Sequence, residues 1–351
     1  MVSMLKESPT LQEQLLALLS RLADHPQGHL ISRALETICQ LSAQPTERLD
    51  WKLITGALKD MQKAIELFHP YRHIRKVSIF GSARAKAGDP EYEQAVQFAQ
   101  QITADGFLVL TGAGGGIMAA GNQGAGVAHS FGLNINLPFE QSANEFIDHS
   151  DRLVNFRYFF TRKLFFLRES DAVALFPGGF GTQDEFFECL TLCQTGRATP
   201  RPLVLIDKVG GDYWQQWDAY MAKHLQGRGF ITEGDRGLYT ITDCVSTACA
   251  VIKKFYSIYH SSRWVKQSFV IRLNQPLSTS HLQKLNQDFA DILMGGAISP
   301  SQALPEEMQD THLLHLPRLV MNFNQISYGR LYDLIWAIND QACTNLTPDR
   351  K

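Results

Sequence analysis

The sequence predicts an α/β protein: a Rossmann-like doubly wound parallel sheet, preceded by an N-terminal helical segment and followed by a small C-terminal α+β appendix. Three observations carry this. From Lys76 onward, short apolar runs alternate with helical stretches, the pattern of parallel strands covered by crossover helices. Two glycine-rich turns follow apolar runs directly and open helices, where doubly wound sheets place their ligands. Before Lys76, apolar residues recur at helical spacing with no glycine-rich turn.

In chain order, residues 1–72 form the helical segment, with Leu15, Leu18, Leu19 and Leu22, then Leu35, Ile38, Cys39 and Leu41, on apolar faces that suit cover for the main domain or for a partner subunit. Residues 73–262 form the doubly wound α/β domain. Its strands are expected at Val77–Phe80, Phe107–Thr111, Leu133–Leu137, Ala172–Phe176 and Leu203–Ile206, each short enough for a buried parallel strand. Helices are expected over Tyr92–Ala104, Met118–Ala128, Phe159–Glu169 and Gln183–Gln194, with Gly106 and Gly132 as stops, and a closing helix from Thr242 to about Tyr259. Residues 263–351 form the appendix, entered through a polar HSSR segment. It offers strands at Phe269–Leu273 and Leu319–Phe323 and helices at Thr279–Leu293 and Tyr328–Ile338. The segment Gly295–His312, with two prolines, reads as an exposed loop.

Composition narrows the function. At 351 residues the chain suits two or three modules, and 44% hydrophobic against 19% charged residues is ordinary for a globular protein. With 33 basic and 35 acidic side chains the net charge is -2, which gives no broad attraction to nucleic acid or an acidic membrane. The amphipathic start carries Glu7, Glu13 and Asp24, unlike a secretory signal, and no stretch has the length of a membrane span. Six cysteines lack a close CxxC pair, so reduced thiols in a cytoplasm are expected and no metal site is indicated. Cys189 and Cys193, one helical turn apart beside Leu190 and Leu192, read as packing residues.

Three strand ends carry the candidate chemistry. After the first strand, Gly81 allows backbone close to a ligand, and Ser82 either donates to a phosphate or ribose or caps a helix. After the second, Gly112-Ala113-Gly114-Gly115-Gly116-Ile117-Met118 either holds an anion on bare amides or packs tightly. Its spacing is neither the GxGxxG dinucleotide fingerprint nor a P-loop. The turn Pro177-Gly178-Gly179-Phe180-Gly181-Thr182-Gln183-Asp184-Glu185 has the makings of a phosphate cradle: glycines bare several amides, Thr182 adds a hydroxyl, and the helix dipole favours an anion.

Asp184 and Glu185 would repel a phosphate unless they face elsewhere. A carboxylate beside a bound sugar can stabilise positive charge at the anomeric carbon and orient a water, and the alternative is plain compensation of the helix dipole. Upstream, Arg162 and Lys163 interrupt the aromatic run Tyr158–Phe166. The planar guanidinium of Arg162 suits a direct role at a base, whereas Lys163 has the reach to place its ammonium in solvent.

Arg162-Lys163 followed by PGGFGTQDE resembles the signature of the LOG (Lonely Guy) family, an Arg-Lys pair followed by PGGxGTxxE. The resemblance covers about Val77 to Tyr256, and the stretch GLNINLPFEQ is similar to longer bacterial members. It implies a phosphoribohydrolase that hydrolyses the N-glycosidic bond of a nucleoside 5′-monophosphate, cytokinin nucleotides or AMP being usual, to release free base and ribose 5-phosphate. It implies no metal and no redox cofactor. It carries Arg162 and Glu185 over as catalytic residues and the PGGFGT loop as phosphate binder, beside the interface of a homodimer or larger even-numbered assembly. The expected substrate-binding set is Gly81, Ser82, Gly114, Gly115, Gly116, Met118, Lys163, Pro177, Gly178, Gly179, Gly181, Thr182 and Asp184. This chain departs from the family pattern after Met118, where Ala119 stands in place of an acidic residue, and at Asp184, where many relatives carry glutamate. The competing reading is a non-catalytic nucleotide or cofactor carrier, as in the molybdenum-cofactor carriers of the same general fold. Lysine decarboxylation, the family's older label, needs pyridoxal phosphate on a lysine, and Lys163 is the motif lysine on offer.

Overall fold

A computed structural model describes residues 20–22, 25–136 and 143–344. Leu15, Leu18, Leu19 and Asp24, and residues 137–142 of the GLNINLPFEQ stretch and its flank, lie outside the described residues. The chain divides into two compact units at Lys59/Asp60. In the first, helix α1 (Gly28–Ser42) keeps most side chains exposed. Helix α2 (Arg48–Phe68) runs through the division, and Ala64 and Phe68 near its end are buried in the second unit's core.

The second unit is built on a seven-stranded parallel sheet. Its strands are β1 (Lys76–Phe80), β2 (Leu108–Thr111), β3 (Ser130–Ile135), β4 (Leu153–Phe156), β5 (Ala172–Leu175), β6 (Leu203–Ile206) and β7 (Tyr239–Thr242). Their order is β4-β3-β2-β1-β5-β6-β7, with Val77 opposite both Val109 and Ala172. Alternate residues feed two cores. Val77, Ile79, Val109, Val204 and Ile206 meet helices α3 (Pro90–Ala104), α4 (Ile117–Ala125) and α9 (Val245–Phe255) on one face. Phe80, Leu108, Leu110, Leu203 and Leu205 meet α5 (Phe159–Glu169), α6 (Phe180–Gln194) and α7 (Tyr213–Tyr220) on the other. Burial on both faces is why these strands are almost uniformly apolar. The doubly wound fold and its five inner strands agree with the sequence reading to within a few residues.

Several expectations are corrected. The sheet gains its two edges, β4 and β7, which were not anticipated. Gly132 lies inside β3 and stops no helix; α4 ends earlier than expected, at Ala125 before Gly126. The stretch given to one helix from Thr242 to Tyr259 holds the end of β7, the shorter α9 and the start of β8 (Tyr259–Val265). The HSSR segment is thus a strand. It pairs antiparallel with β9 (Ser268–Leu273) in a second sheet of order β10-β11-β9-β8, completed by β10 (Ser299–Ser301) and β11 (Arg318–Met321).

Helix α8 (Glu233–Arg236) precedes β7, while α10 (Thr279–Asp288) and α11 (Tyr328–Thr344) belong to the appendix, where Phe269, Leu285, Phe323, Leu331 and Ile335 share one core. Trp264 and Trp336 are partly buried and pack against that core. The expected exposed loop Gly295–His312 contains β10 and the fully buried Glu307, which accepts from Arg272 Nε at 3.0 Å and Arg318 Nε at 2.8 Å. Most of the stretch is exposed, as expected, but Glu307 is drawn inside, where two buried guanidiniums need its carboxylate.

Candidate active site

The strand order reverses between β1 and β5, and the turns leaving the carboxyl ends of these two strands line a cavity of about 740 Å³. Gly81 and Ser82 come from the first turn; Gly178, Gly179, Gly181, Thr182, Asp184 and Glu185 come from the second and from α6; Arg162 comes from α5 and Met118 from α4. The turns are tied together. Ser82 N–H donates to the Pro177 carbonyl at 3.0 Å, and Ile117 N–H donates to the Ser82 carbonyl, also at 3.0 Å.

Helix α6 starts at Phe180, earlier than expected, with Gly179 as its N-cap. The amides of Phe180, Gly181 and Thr182 are therefore those that a helix leaves without internal acceptors. A Cβ on Gly179 or Gly181 would meet nothing within 4 Å, whereas one on Gly178 would stand 2.2 Å from Thr182 Oγ1. The loop is open at Gly179 and Gly181 and tight at Gly178.

The second glycine turn packs against the first. Gly114, Gly115, Gly116 and Pro177, expected at the substrate, do not line the cavity. Gly116 has φ of 64°, and a Cβ there would approach the Ser82 carbonyl to 2.1 Å, so only glycine fits. Ala113, also in the left-handed region with φ of 61°, is held by its N–H donating to Thr111 Oγ1 at 3.0 Å and its carbonyl accepting from Asn144 N–H at 2.8 Å. Asn144 Nδ2 further donates to the Gly114 carbonyl at 3.0 Å.

Arg162 is aimed by three contacts. Its Nε donates to the Leu133 carbonyl at 2.8 Å, its guanidinium lies 5.3 Å from the Phe166 ring centroid, and it occupies the space that a Gly112 side chain would fill. Burial holds its pKa below the usual arginine value, partly opposed by the charge of Glu185. Glu185 is pushed up by burial, against the pull of Lys163 and Arg162. Among the described residues Arg162 and Glu185 form no ion pair within 4 Å, so the two line one cavity with a gap between them.

Lys163 neither reaches solvent nor lines the cavity. Its ammonium lies 2.9 Å from Asp184, 3.2 Å from Glu185 and 2.8 Å from Glu188. Burial alone would lower its pKa, but pairing of its ammonium with the Glu188 and Asp184 carboxylates and the charge of Glu185 outweigh that and raise it. An ammonium held protonated in this way is ill suited to form a Schiff base with pyridoxal phosphate, which requires the free amine. Its pairing lessens the repulsion expected between Asp184 and a phosphate, with one ammonium shared among three carboxylates.

Tyr213, at the start of α7, was missed by sequence reasoning: its hydroxyl donates to the Gly178 carbonyl at 2.6 Å and accepts from Gln183 Nε2 at 2.8 Å. Phe159 and Arg84 also line the cavity. Cys189 and Cys193 are buried free thiols whose pKa values burial raises, consistent with packing, and no cluster of metal-ligating side chains occurs among the described residues. No described helix is long and apolar enough to cross a membrane.

Fold and cavity together define a doubly wound domain with an anion-receptive helix start at its switch point. Residues 103–252 match the family described as "Possible lysine decarboxylase". It is similar to the cytokinin riboside 5′-monophosphate phosphoribohydrolase of Rhodococcoides fascians, 33% identical over 92 residues, which are 26% of this chain and 44% of that relative. The chain thus matches less than half of that relative's length. Among solved structures, the molybdenum cofactor binding protein of Rippkaea orientalis is 20% identical over 52% of this chain and 96% of its own, with a TM-score of 0.38. The molybdenum cofactor carrier protein of Chlamydomonas reinhardtii is 17% identical over 52% of this chain and 98% of its own, with a TM-score of 0.37.

Proposed function

We propose that the protein hydrolyses the N-glycosidic bond of a nucleoside 5′-monophosphate, of the AMP or cytokinin riboside type, to free base and ribose 5-phosphate. The observation that supports this most is the pairing of Arg162 and Glu185 across a gap in the one cavity where the Phe180–Thr182 amides are free to grip an anion. In this reading the phosphate sits on those amides and the Thr182 hydroxyl, with Arg84 at the rim. Glu185 takes a proton from a water whose oxygen bonds to C1′ as the C1′–N bond breaks. Its raised pKa makes it a stronger base near neutrality. The electron pair goes to the base, where the Arg162 guanidinium stabilises the developing negative charge, and solvent supplies the proton that neutralises the departing base. Neither metal nor redox cofactor enters the scheme.

The even-numbered assembly expected from the resemblance has a candidate face in the exposed Phe159, Phe160, Leu164 and Phe187 beside the cavity, and a monomer in solution would remove it.

The test is a panel of nucleoside monophosphates assayed by chromatography with the wild type and Glu185→Gln. The expected result is free base and ribose 5-phosphate from the wild type, and a loss of at least ~10²-fold in turnover with binding kept in Glu185→Gln. Ligands that bind both proteins with no base released by either would make this a carrier.

A further inference from the structure

A second cavity, of about 710 Å³, opens at the other end of the sheet, where the chain enters β1 and β5. Arg72, His73 and Arg75 line it from the approach to β1, His260 and Arg272 from the appendix sheet, and His312 from the segment before β11. We infer that this cavity is a binding site for a small phosphorylated ligand, held through its phosphates and separate from the cleft that carries Arg162.

The argument rests on charge left over. The one acid lining the cavity, Asp171, is already engaged: it accepts from Arg75 Nη1 at 3.2 Å and from Lys76 N–H at 2.9 Å. Arg272 is likewise matched, by Glu307 at 2.6 Å and Asp310 at 2.7 Å. Arg72 is not. Its guanidinium meets the His69 carbonyl at 2.8 Å and the His69 ring at 3.3 Å, and among the described residues it makes no ion pair with any carboxylate. Beside it the His73 and His312 rings stand 4.6 Å apart, and neither has a carboxylate partner among the described residues.

His73 and His260 are held back from protonation by desolvation and by their cationic neighbours. His73 is lowered by desolvation and then by Arg72, and His260 is pushed down to about 4 by burial and then by Arg75 and Arg272. A concave wall of cations and imidazoles with its acids already used is a receptor for an anion. Its volume suits a metabolite of nucleotide size, and a chain of net charge -2 gives no wider field for a polymer. Guanidinium at the rim favours phosphate, whose oxygens match its forked donors.

The probe is inorganic tripolyphosphate, titrated calorimetrically into the full chain, with citrate as a tricarboxylate control. The wild type should show a saturable site that Arg72→Ala/His312→Ala weakens at least tenfold and that Thr182→Ala, at the cleft, leaves in place. Both substituted side chains are exposed, and the milder Arg72→Gln should weaken binding in the same direction. Titration of the double variant indistinguishable from wild type, or loss in Thr182→Ala alone, overturns the site. Equal affinity for citrate overturns the phosphate assignment.

Discussion

The ammonium of Lys163 stands 3.2 Å from the Glu185 carboxylate, so the residue next to Arg162 in sequence acts directly on the acid across the cavity. Burial raises the Glu185 pKa, and Lys163 opposes that rise more than Arg162 does. Lys163→Met should therefore raise the Glu185 pKa further. If ionised Glu185 is the general base, activity is lost as pH falls through its pKa, so the acid limb of the kcat/KM profile should move to higher pH. Lys163→Arg should move it back. A limb unmoved in Lys163→Met would separate Lys163 from the chemistry and leave it a purely structural tie between α5 and α6.

Gly112 supplies a second, independent test of how Arg162 is aimed. A Cβ at this position would stand 2.3 Å from Arg162 Nη2 and 2.6 Å from Met118 Sδ, so Gly112→Ala must displace the guanidinium or the thioether. Displacing a charged group by about 1 Å from its working position costs roughly 10²-fold in rate. The expected result is a loss of that order in kcat/KM with a thermal midpoint close to wild type, because both side chains end in the open cavity. Wild-type activity in Gly112→Ala would mean that the position of the guanidinium does not matter.

What the sequence revealed and what it hid divide along physical lines. The inner strands are apolar on both faces, so β1, β2, β5 and β6 were legible as unbroken runs. The edge strands were not: β7 is Tyr-Thr-Ile-Thr, half-buried throughout, and β4 keeps Asn155 exposed. The strand β8 was concealed for a related reason, since its one-sided burial leaves His260, Ser261 and Arg263 only partly covered. In the cavity, Arg162 and Glu185 stood out because a cation inside an aromatic helix and an acid inside a glycine turn both call for an explanation. Tyr213 carried no such signal, being an ordinary aromatic at a helix start until the fold brings its hydroxyl to Gly178. Lys163 was misplaced because its partners lie one helix away, at a spacing no local pattern displays.

The appendix depends on a carboxylate that composition had assigned to solvent. Glu307 is fully buried and ties Arg272 on β9 to Arg318 on β11, with side chains 7% and 0% exposed. Removing one partner of such a group leaves charge buried without compensation, at a cost of about 3–5 kcal/mol. Glu307→Ala should lose stability on that scale by denaturant unfolding, more than Glu306→Ala, whose carboxylate is at the surface. Burial alone would raise the Glu307 pKa, but hydrogen bonds from Arg272, the Leu304 N–H and Arg318 outweigh it and hold the value below the usual glutamate range. A depressed folded-state pKa contributes stability at pH values above the unfolded-state pKa and loses it as pH falls through the folded value. The wild type should thus lose stability on acidification below about 4.5, the ordinary glutamate value, and Glu307→Gln should lose less over the same range. Parallel acid unfolding curves for the two proteins would show that the buried triad contributes nothing to the pH dependence.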